Sequence, residues 1–191
     1  MIYEISRKYR SIHSINDGEV SKILSHFNTL NSPATFLDYG CHLGHLSIEL
    51  AIRYPIVILA VDSFLSSYNP ILFKKEGDFK SMFESNVKEA CASCRMLGKI
   101  TMLSPEELFS KERIVDMAFI DSSHRMDAIR EFPQIGKMIT KDGIISGHDF
   151  SASKAYAGVV IGVRLLEKDF EHLPEREKGS VCFFMRRKSN G

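Results

Sequence analysis

The sequence has 191 residues, 44% hydrophobic and 26% charged, which suits one domain over residues 1–191 and leaves little room for a second. Lys plus Arg number 25 against 24 Asp plus Glu, and the resulting net charge of +1 argues against a general polyanion binder and weighs against nucleic acid as partner. No stretch nears the roughly 18 unbroken apolar residues of a membrane span, the basic segment 1–10 lacks the apolar heart of a secretory signal, and 4 scattered cysteines make no disulfide framework, so a reduced, cytoplasmic protein with no membrane partner is expected.

Asp17-Gly-Glu-Val opens an amphipathic stretch in which Val20, Ile23, Leu24, Phe27 and Leu30 recur at helical spacing, and Pro33 disfavours its continuation. A short apolar run, 34–38, ends in Asp38 and is followed by Gly40. Residues 46–53 read as a helix, and 56–61 as a buried strand ending at Asp62. The segment 63–77 is irregular and rich in Phe, Tyr, Ser and Lys. A long helix is predicted over 79–97, with Met82, Phe83, Val87, Ala90 and Cys94 facing inward. Strands are predicted at 99–103 and 115–120, with a short helical turn between them at 105–109 and Asp121 at the exit of the second. A helix over 128–139 carries Pro133 near its early turns; Asp142-Gly143 forms a turn, and 144–149 is a fifth strand with its exit. A helix over 155–170 and a strand at 181–185 finish the chain.

Strand and helix alternate throughout, which predicts an α/β fold: a doubly wound, mostly parallel sheet with helices on both faces. Ligands in such sheets sit outside the carboxyl ends of the strands. The residues there are Asp38, Gly40, Asp62, Ser104, Asp121, His148 and Asp149, and the recurrence of acids is the feature to explain.

Glycines at a strand-to-helix turn let backbone approach a ligand closely and leave helix N–H groups free to bind it. Gly40-Cys-His-Leu-Gly44 is such a turn, but its G-x-x-x-G spacing is not the G-x-G-x-x-G of dinucleotide binders. Asp62 follows Gly40 by 22 residues, where an acid can accept both hydroxyls of an adenosine ribose. The plainer alternative is a turn chosen for packing beside an acidic loop residue.

Asp38-x-Gly40-x-x-x-Gly44 resembles motif I of the class I S-adenosylmethionine-dependent methyltransferases, and Ala60-Val-Asp62 is similar to their motif II. The stretches Val115-Asp-Met-Ala-Phe-Ile-Asp121-Ser-Ser-His124 and Lys141-Asp-Gly-Ile-Ile-Ser-Gly-His148-Asp149-Phe150 resemble a narrower group. Its members are small bacterial methyltransferases related to macrocin O-methyltransferase and cephalosporin hydroxylase. The resemblance spans roughly residues 34–150 in order and spacing. It implies a Rossmann-like fold, S-adenosylmethionine as cofactor, and methyl transfer to a hydroxyl on a small molecule.

The same resemblance implies residue roles. Gly40 and Gly44 would shape the loop around the methionine moiety, Asp38 would lie near its amino group, and Asp62 would hold the ribose. Ser63 would flank the adenine, and Ser104-Pro-Glu106 matches the segment that borders the ring. Asp121, His148 and Asp149 match the positions where metal-dependent O-methyltransferases keep their ligands. A divalent cation there would orient acceptor oxygens and lower the pKa of one. His148 stands where the common pattern has a carboxylate, so the set suits Mn²⁺, Fe²⁺ or Zn²⁺ as well as Mg²⁺. Without a metal, His124 or Asp149 is the candidate general base. Two rivals share these residues, a metal-dependent hydroxylase or oxygenase and a non-catalytic S-adenosylmethionine binder.

Other residues read as structural. His124 also suits helix capping, His148 a core position, and His42 and His45 a surface loop. Asp116 opens its strand at the end of the sheet opposite the site, which fits a structural role. Cys91-Ala-Ser-Cys94 lies inside a helical pattern with no second pair, so core packing at i and i+3 is preferred over zinc or redox chemistry. The segments that could cover an acceptor are short, namely the N-terminal extension and residues 63–77. A short cover implies an open site or one completed by a second subunit in a homo-oligomer.

Overall fold

The computed structural model describes residues 15–64, 79–122, 127–174 and 181–189. Its strands are β1 (Thr35–Tyr39), β2 (Val57–Val61), β3 (Lys99–Leu103), β4 (Val115–Ile120), β5 (Ile139–Gly147), β6 (Phe170–His172) and β7 (Phe183–Arg187). Its α-helices are α1 (Asp17–Phe27), α2 (His45–Arg53), α3 (Phe79–Ser93), α4 (Pro105–Phe109), α5 (Ala128–Met138) and α6 (Ala157–Leu166). The strands make one 7-stranded sheet in the order β3-β2-β1-β4-β5-β7-β6. Pairing is parallel from β3 to β5 and antiparallel where β7 meets β5 and β6. The expected mostly parallel, helix-covered sheet is therefore the observed one.

Alternation along the strands divides the core between the two sheet faces. Phe36, Ile58, Met117, Phe119 and Ile144 pack under α1 and α2, against Ile23, Phe27, Leu46 and Leu50. Leu37, Tyr39, Leu59, Ala118, Ile120 and Ile145 pack on the other face, against Phe132 and Ile135 of α5 and Val159 and Val163 of α6. The central strands are buried on both sides, which is why β1, β2 and β4 read as continuous apolar runs. Helix α1 begins with a capping box, in which the Asn16 side chain accepts from Glu19 N–H and the Glu19 carboxylate accepts from Asn16 N–H. Among the described residues, no helix is long and apolar enough to cross a membrane.

Several elements differ from the sequence expectation for identifiable reasons. Helix α1 stops at Phe27 rather than near residue 31, because Thr29 and Leu30 N–H turn back onto the carbonyls of His26 and Phe27. Helix α3 stops at Ser93, short of 97, because Leu97 and Gly98 donate to the Ala51 carbonyl instead. Met82 of α3 is 43% exposed and does not face the core. Asp142-Gly143 is not a separate turn but part of a long, bulged β5, whose pairing with β4 jumps from Val115↔Ile139 to Met117↔Ile144. The last helix ends at Leu166, and Phe170 leaves it to start β6 while burying its ring in the core. The final strand lies at 183–187 and runs antiparallel. Asp116 has the structural role expected, its Oδ2 accepting the N–H groups of Ala34 at 2.8 Å and Thr35 at 2.9 Å.

Candidate functional site

Strand order reverses between β1 and β4, and the carboxyl ends of these two strands make the natural crevice of the sheet. Gly40 leaves β1 at φ +92°, so close to β4 that a Cβ there would lie 2.1 Å from the Asp121 carbonyl oxygen. Gly44 caps α2 at φ +88°, and its missing side chain leaves room for the Phe83 ring, 2.8 Å from where a Cβ would stand. Between them His42 also adopts positive φ, 48°. The loop is held by Gly44 N–H to the Cys41 carbonyl at 2.8 Å and by Asn86 Nδ2 to the Leu43 carbonyl at 2.9 Å. Both glycines are thus demanded by conformation and by close approach.

Asp62 stands at the exit of β2 beside this loop. Its Oδ2 accepts His42 N–H at 3.0 Å and its Oδ1 accepts Phe64 N–H at 2.8 Å, so the carboxylate is clamped between two loops. Ser63, next in the chain, is exposed. Asp38 is buried, and Ser47 Oγ donates to its Oδ2 at 2.6 Å. Burial outweighs that bond and pushes its carboxyl up to about 7, with the Asp62 charge adding to the rise. Ser104 caps α4, forming its box with Glu107, while neighbouring Glu106 is exposed and held below the usual carboxylate range by backbone and Ser104 hydrogen bonds.

The second half of the crevice is a knot of acids around one imidazole. His148 Nδ1 lies 3.0 Å from Asp149 Oδ1 and 4.0 Å from Asp121 Oδ1, and Nε2 lies 3.1 Å from Glu19 Oε1. Burial opposes the imidazolium, but the bonds to Asp149 and Glu19 and the Asp121 charge outweigh it and push the ring up to about 10. Asp121 is pushed up to about 7, chiefly by burial and further by Asp149. Asp149 holds a left-handed φ of 62°, a strained conformation for a non-glycine residue that turns its carboxylate back onto His148. Donor atoms of Asp121, His148 and Asp149 lie within 4.8 Å of one another, a spacing that a small divalent cation could bridge. Tyr39 and Glu131 back this region; burial raises both, and Ser122 Oγ donates to Glu131 at 3.3 Å.

The structure therefore gathers Asp38, Gly40, Gly44 and Asp62 on one side of the crevice and Asp121, His148 and Asp149 on the other. Ser63, Ser104 and Glu106 lie at the ends of neighbouring strands. His124 and most of the 63–77 segment lie outside the described residues. His45, expected on the surface, is 5% exposed as the first residue of α2. Cys91 is exposed rather than packed, and Cys94 is partly buried with its thiol on the Ala90 carbonyl. Sequence reasoning missed Glu19, Glu131 and Cys182. For Glu19 a signal existed, the Asn16-x-x-Glu19 capping pattern, but that pattern predicts a helix start and says nothing about a distant histidine.

With this geometry in hand, comparison with solved structures identifies the architecture. An O-methyltransferase from Bacillus cereus in complex with S-adenosylhomocysteine matches with TM-score 0.67 at 14% identity, over 98% of this chain and 90% of that one. The O-methyltransferase TomG from Streptomyces achromogenes, involved in tomaymycin synthesis and in complex with S-adenosylmethionine, matches with TM-score 0.66 at 14% identity, over 99% and 88%. A precorrin-6y C5,15-methyltransferase from Geobacter metallireducens matches with TM-score 0.64 at 16% identity, over 94% and 93%. No protein-family model matches the sequence, and no curated protein matches it. The chain has the Rossmann-like class I methyltransferase fold. One fold hosts many reactions, and the chemistry lies in the residues of the site.

Proposed function

We propose that this protein is an enzyme that transfers the methyl group of S-adenosylmethionine to a hydroxyl of a small-molecule acceptor. The observation that carries the reading is the glycine-shaped loop between Gly40 and Gly44, set against Asp121 at the β1–β4 crevice with Asp62 clamped beside it. Asp62 offers the remaining lone pairs of a fixed carboxylate to the two ribose hydroxyls. Gly40 and Gly44 hold the left-handed turns that would present the loop backbone to the methionine portion, and the acidic wall of Asp38 and Asp121 suits its ammonium and sulfonium charges. Ser63 and the Ser104–Glu106 segment are the proposed borders of the adenine. The neighbours that carry S-adenosylmethionine or its demethylated product support this cofactor. The narrower kinship with the macrocin O-methyltransferase and cephalosporin hydroxylase group rests on the Asp121-to-His124 and His148-Asp149 motifs.

Methyl transfer needs the acceptor oxygen in line with the methyl carbon and relieved of its proton. Asp149 and Asp121 are the proposed proton acceptors, with Glu19 and Asp149 orienting His148 between them. A second reading has its own observation, the mutual closeness of the Asp121, His148 and Asp149 donor atoms. Those residues would hold a divalent cation, which would lower the pKa of the acceptor hydroxyl. His148 would then have to release the proton it shares with Asp149.

The test is transfer of label from S-[methyl-³H]adenosylmethionine to a panel of phenols, catechols and sugar hydroxyls, with and without excess chelator. Label in a hydroxyl ether supports the reading, and loss of transfer in chelator assigns the metal-assisted form. Transfer confined to amines or nucleic acid would replace the acceptor class, and oxygen-dependent hydroxylation without label transfer would replace the reaction.

A further inference from the structure

His148 has two ring nitrogens, and the structure surrounds each with a different donor set. Nδ1 faces the oxygens of Asp149 and Asp121, whereas Nε2 faces Glu19 Oε1, and the Cys182 thiol groups closely with Glu19 and the ring. We infer that Glu19, His148 and Cys182 form a second cation site, suited to a borderline-soft ion of the Zn²⁺ type and built between helix α1 and the ends of β5 and β7.

Three features of the chain argue for it. First, the carboxylate oxygen, ring nitrogen and sulfur lie within 4.8 Å of one another. A tetrahedral zinc ion, with bonds of about 2.0–2.3 Å, needs its donors only somewhat closer than this. Second, the donors are held in advance. Glu19 is fixed through its other oxygen, Oε2, which accepts Asn16 N–H at 2.7 Å in the capping box. Cys182 is buried just ahead of β7, and its flank is pinned where Phe150 N–H donates to the Val181 carbonyl at 2.7 Å and Gly147 pairs with Phe183. Third, Asp149 Oδ1, 3.0 Å from Nδ1, holds the ring by its far nitrogen and so fixes the direction in which Nε2 points toward Glu19. With Asp149 on one nitrogen and the metal on the other, the ring would stand in the carboxylate–histidine–metal arrangement of zinc sites.

Donor chemistry sets the selectivity. A thiolate with an imidazole and a single carboxylate favours zinc over magnesium or calcium, which prefer all-oxygen sets. Three protein donors leave a fourth position for water. Binding replaces the thiol S–H bond by a sulfur–zinc bond and the Nε2–H bond of His148 by a nitrogen–zinc bond, and both protons leave to solvent. A bound ion would also fasten α1 to the sheet and draw His148 away from the all-oxygen side of the knot.

Cobalt(II) titration tests this, because a cysteine ligand produces a near-ultraviolet thiolate-to-cobalt charge-transfer band. It is run on the full chain carrying Cys91→Ser and Cys94→Ser, which removes the C-x-x-C pair as another source of thiolate. The band should appear and saturate, vanish in Cys182→Ser, persist in Asp121→Asn, and need about tenfold or more cobalt in Glu19→Gln. Sulfur scattering in X-ray absorption of the zinc-loaded Cys91→Ser/Cys94→Ser protein decides the matter if Cys182→Ser fails to fold. Cobalt binding without the band, a band that survives Cys182→Ser, or zinc with oxygen and nitrogen neighbours only would overturn the site. None of these outcomes decides whether methyl is transferred, which the label assay reads by itself.

Discussion

A methyl group added to Gly40 would overlap the carbonyl of Asp121 at 2.1 Å, and the backbone there has φ +92°, so neither the neighbour nor the conformation can accommodate it cheaply. Gly40→Ala should therefore cost roughly 2 kcal/mol or more, read as a lowered urea midpoint at unchanged slope. Gly44→Ala meets an aromatic edge instead of backbone, and the Phe83 ring has some freedom to give, so the smaller loss should be there. Asp38 supplies a pH signature. Its folded-state pKa is raised to about 7, above an unfolded value near 4, because it is buried. The stability it contributes is fully present below its unfolded pKa and lost as pH rises through about 7. Asp38→Asn removes this dependence while keeping an acceptor for Ser47. The wild-type protein should accordingly lose more stability between pH 5 and pH 8 than the variant, in paired denaturation curves. Equal slopes would mean that Asp38 titrates normally.

Helices α5 and α6 meet with a glycine at the contact, since a Cβ on Gly162 would stand 2.7 Å from the Phe132 ring. Gly162→Ala should destabilise by about 1–3 kcal/mol through overpacking, and Phe132→Ala by about 3–5 kcal/mol through the cavity it leaves. Combining Gly162→Ala with Phe132→Leu should recover part of the first loss, a non-additivity that thermal or urea unfolding resolves directly. Much at this scale was legible in the sequence. Strands β3 and β4 and the short helix α4 fall at the predicted residues, because each is an apolar or capped run with clear boundaries. The early end of α1 is a local turn, whereas the misreadings at α3 and β5 involve distant backbone. Helix α3 loses its last predicted turn to the Ala51 carbonyl, and in the β5 bulge the register between Val115 and Met117 spans Ile139 to Ile144 of the opposite strand. Periodicity along the chain carries no information about such partners.

For the molecule as a whole, alternation of strand and helix gave the layered, mostly parallel sheet. It could not give the antiparallel return of β7, because a short apolar run looks the same in either direction. The candidate site divides in the same way. Gly40, Gly44 and Asp62 were readable because loop conformation and spacing constrain residue type locally. Glu19 was not, since its bond to His148 joins residues 129 apart in sequence. The central claim, that the β1–β4 crevice with Asp62 holds S-adenosylmethionine, is tested most directly by calorimetric titration of the wild-type protein and Asp62→Asn with S-adenosylmethionine, S-adenosylhomocysteine and NAD. Saturable heat with both adenosyl ligands, weakened roughly tenfold to a hundredfold in Asp62→Asn by loss of the charged ribose acceptor, is the predicted result. Affinity unchanged in the variant, or NAD bound in preference to both adenosyl ligands, would contradict it.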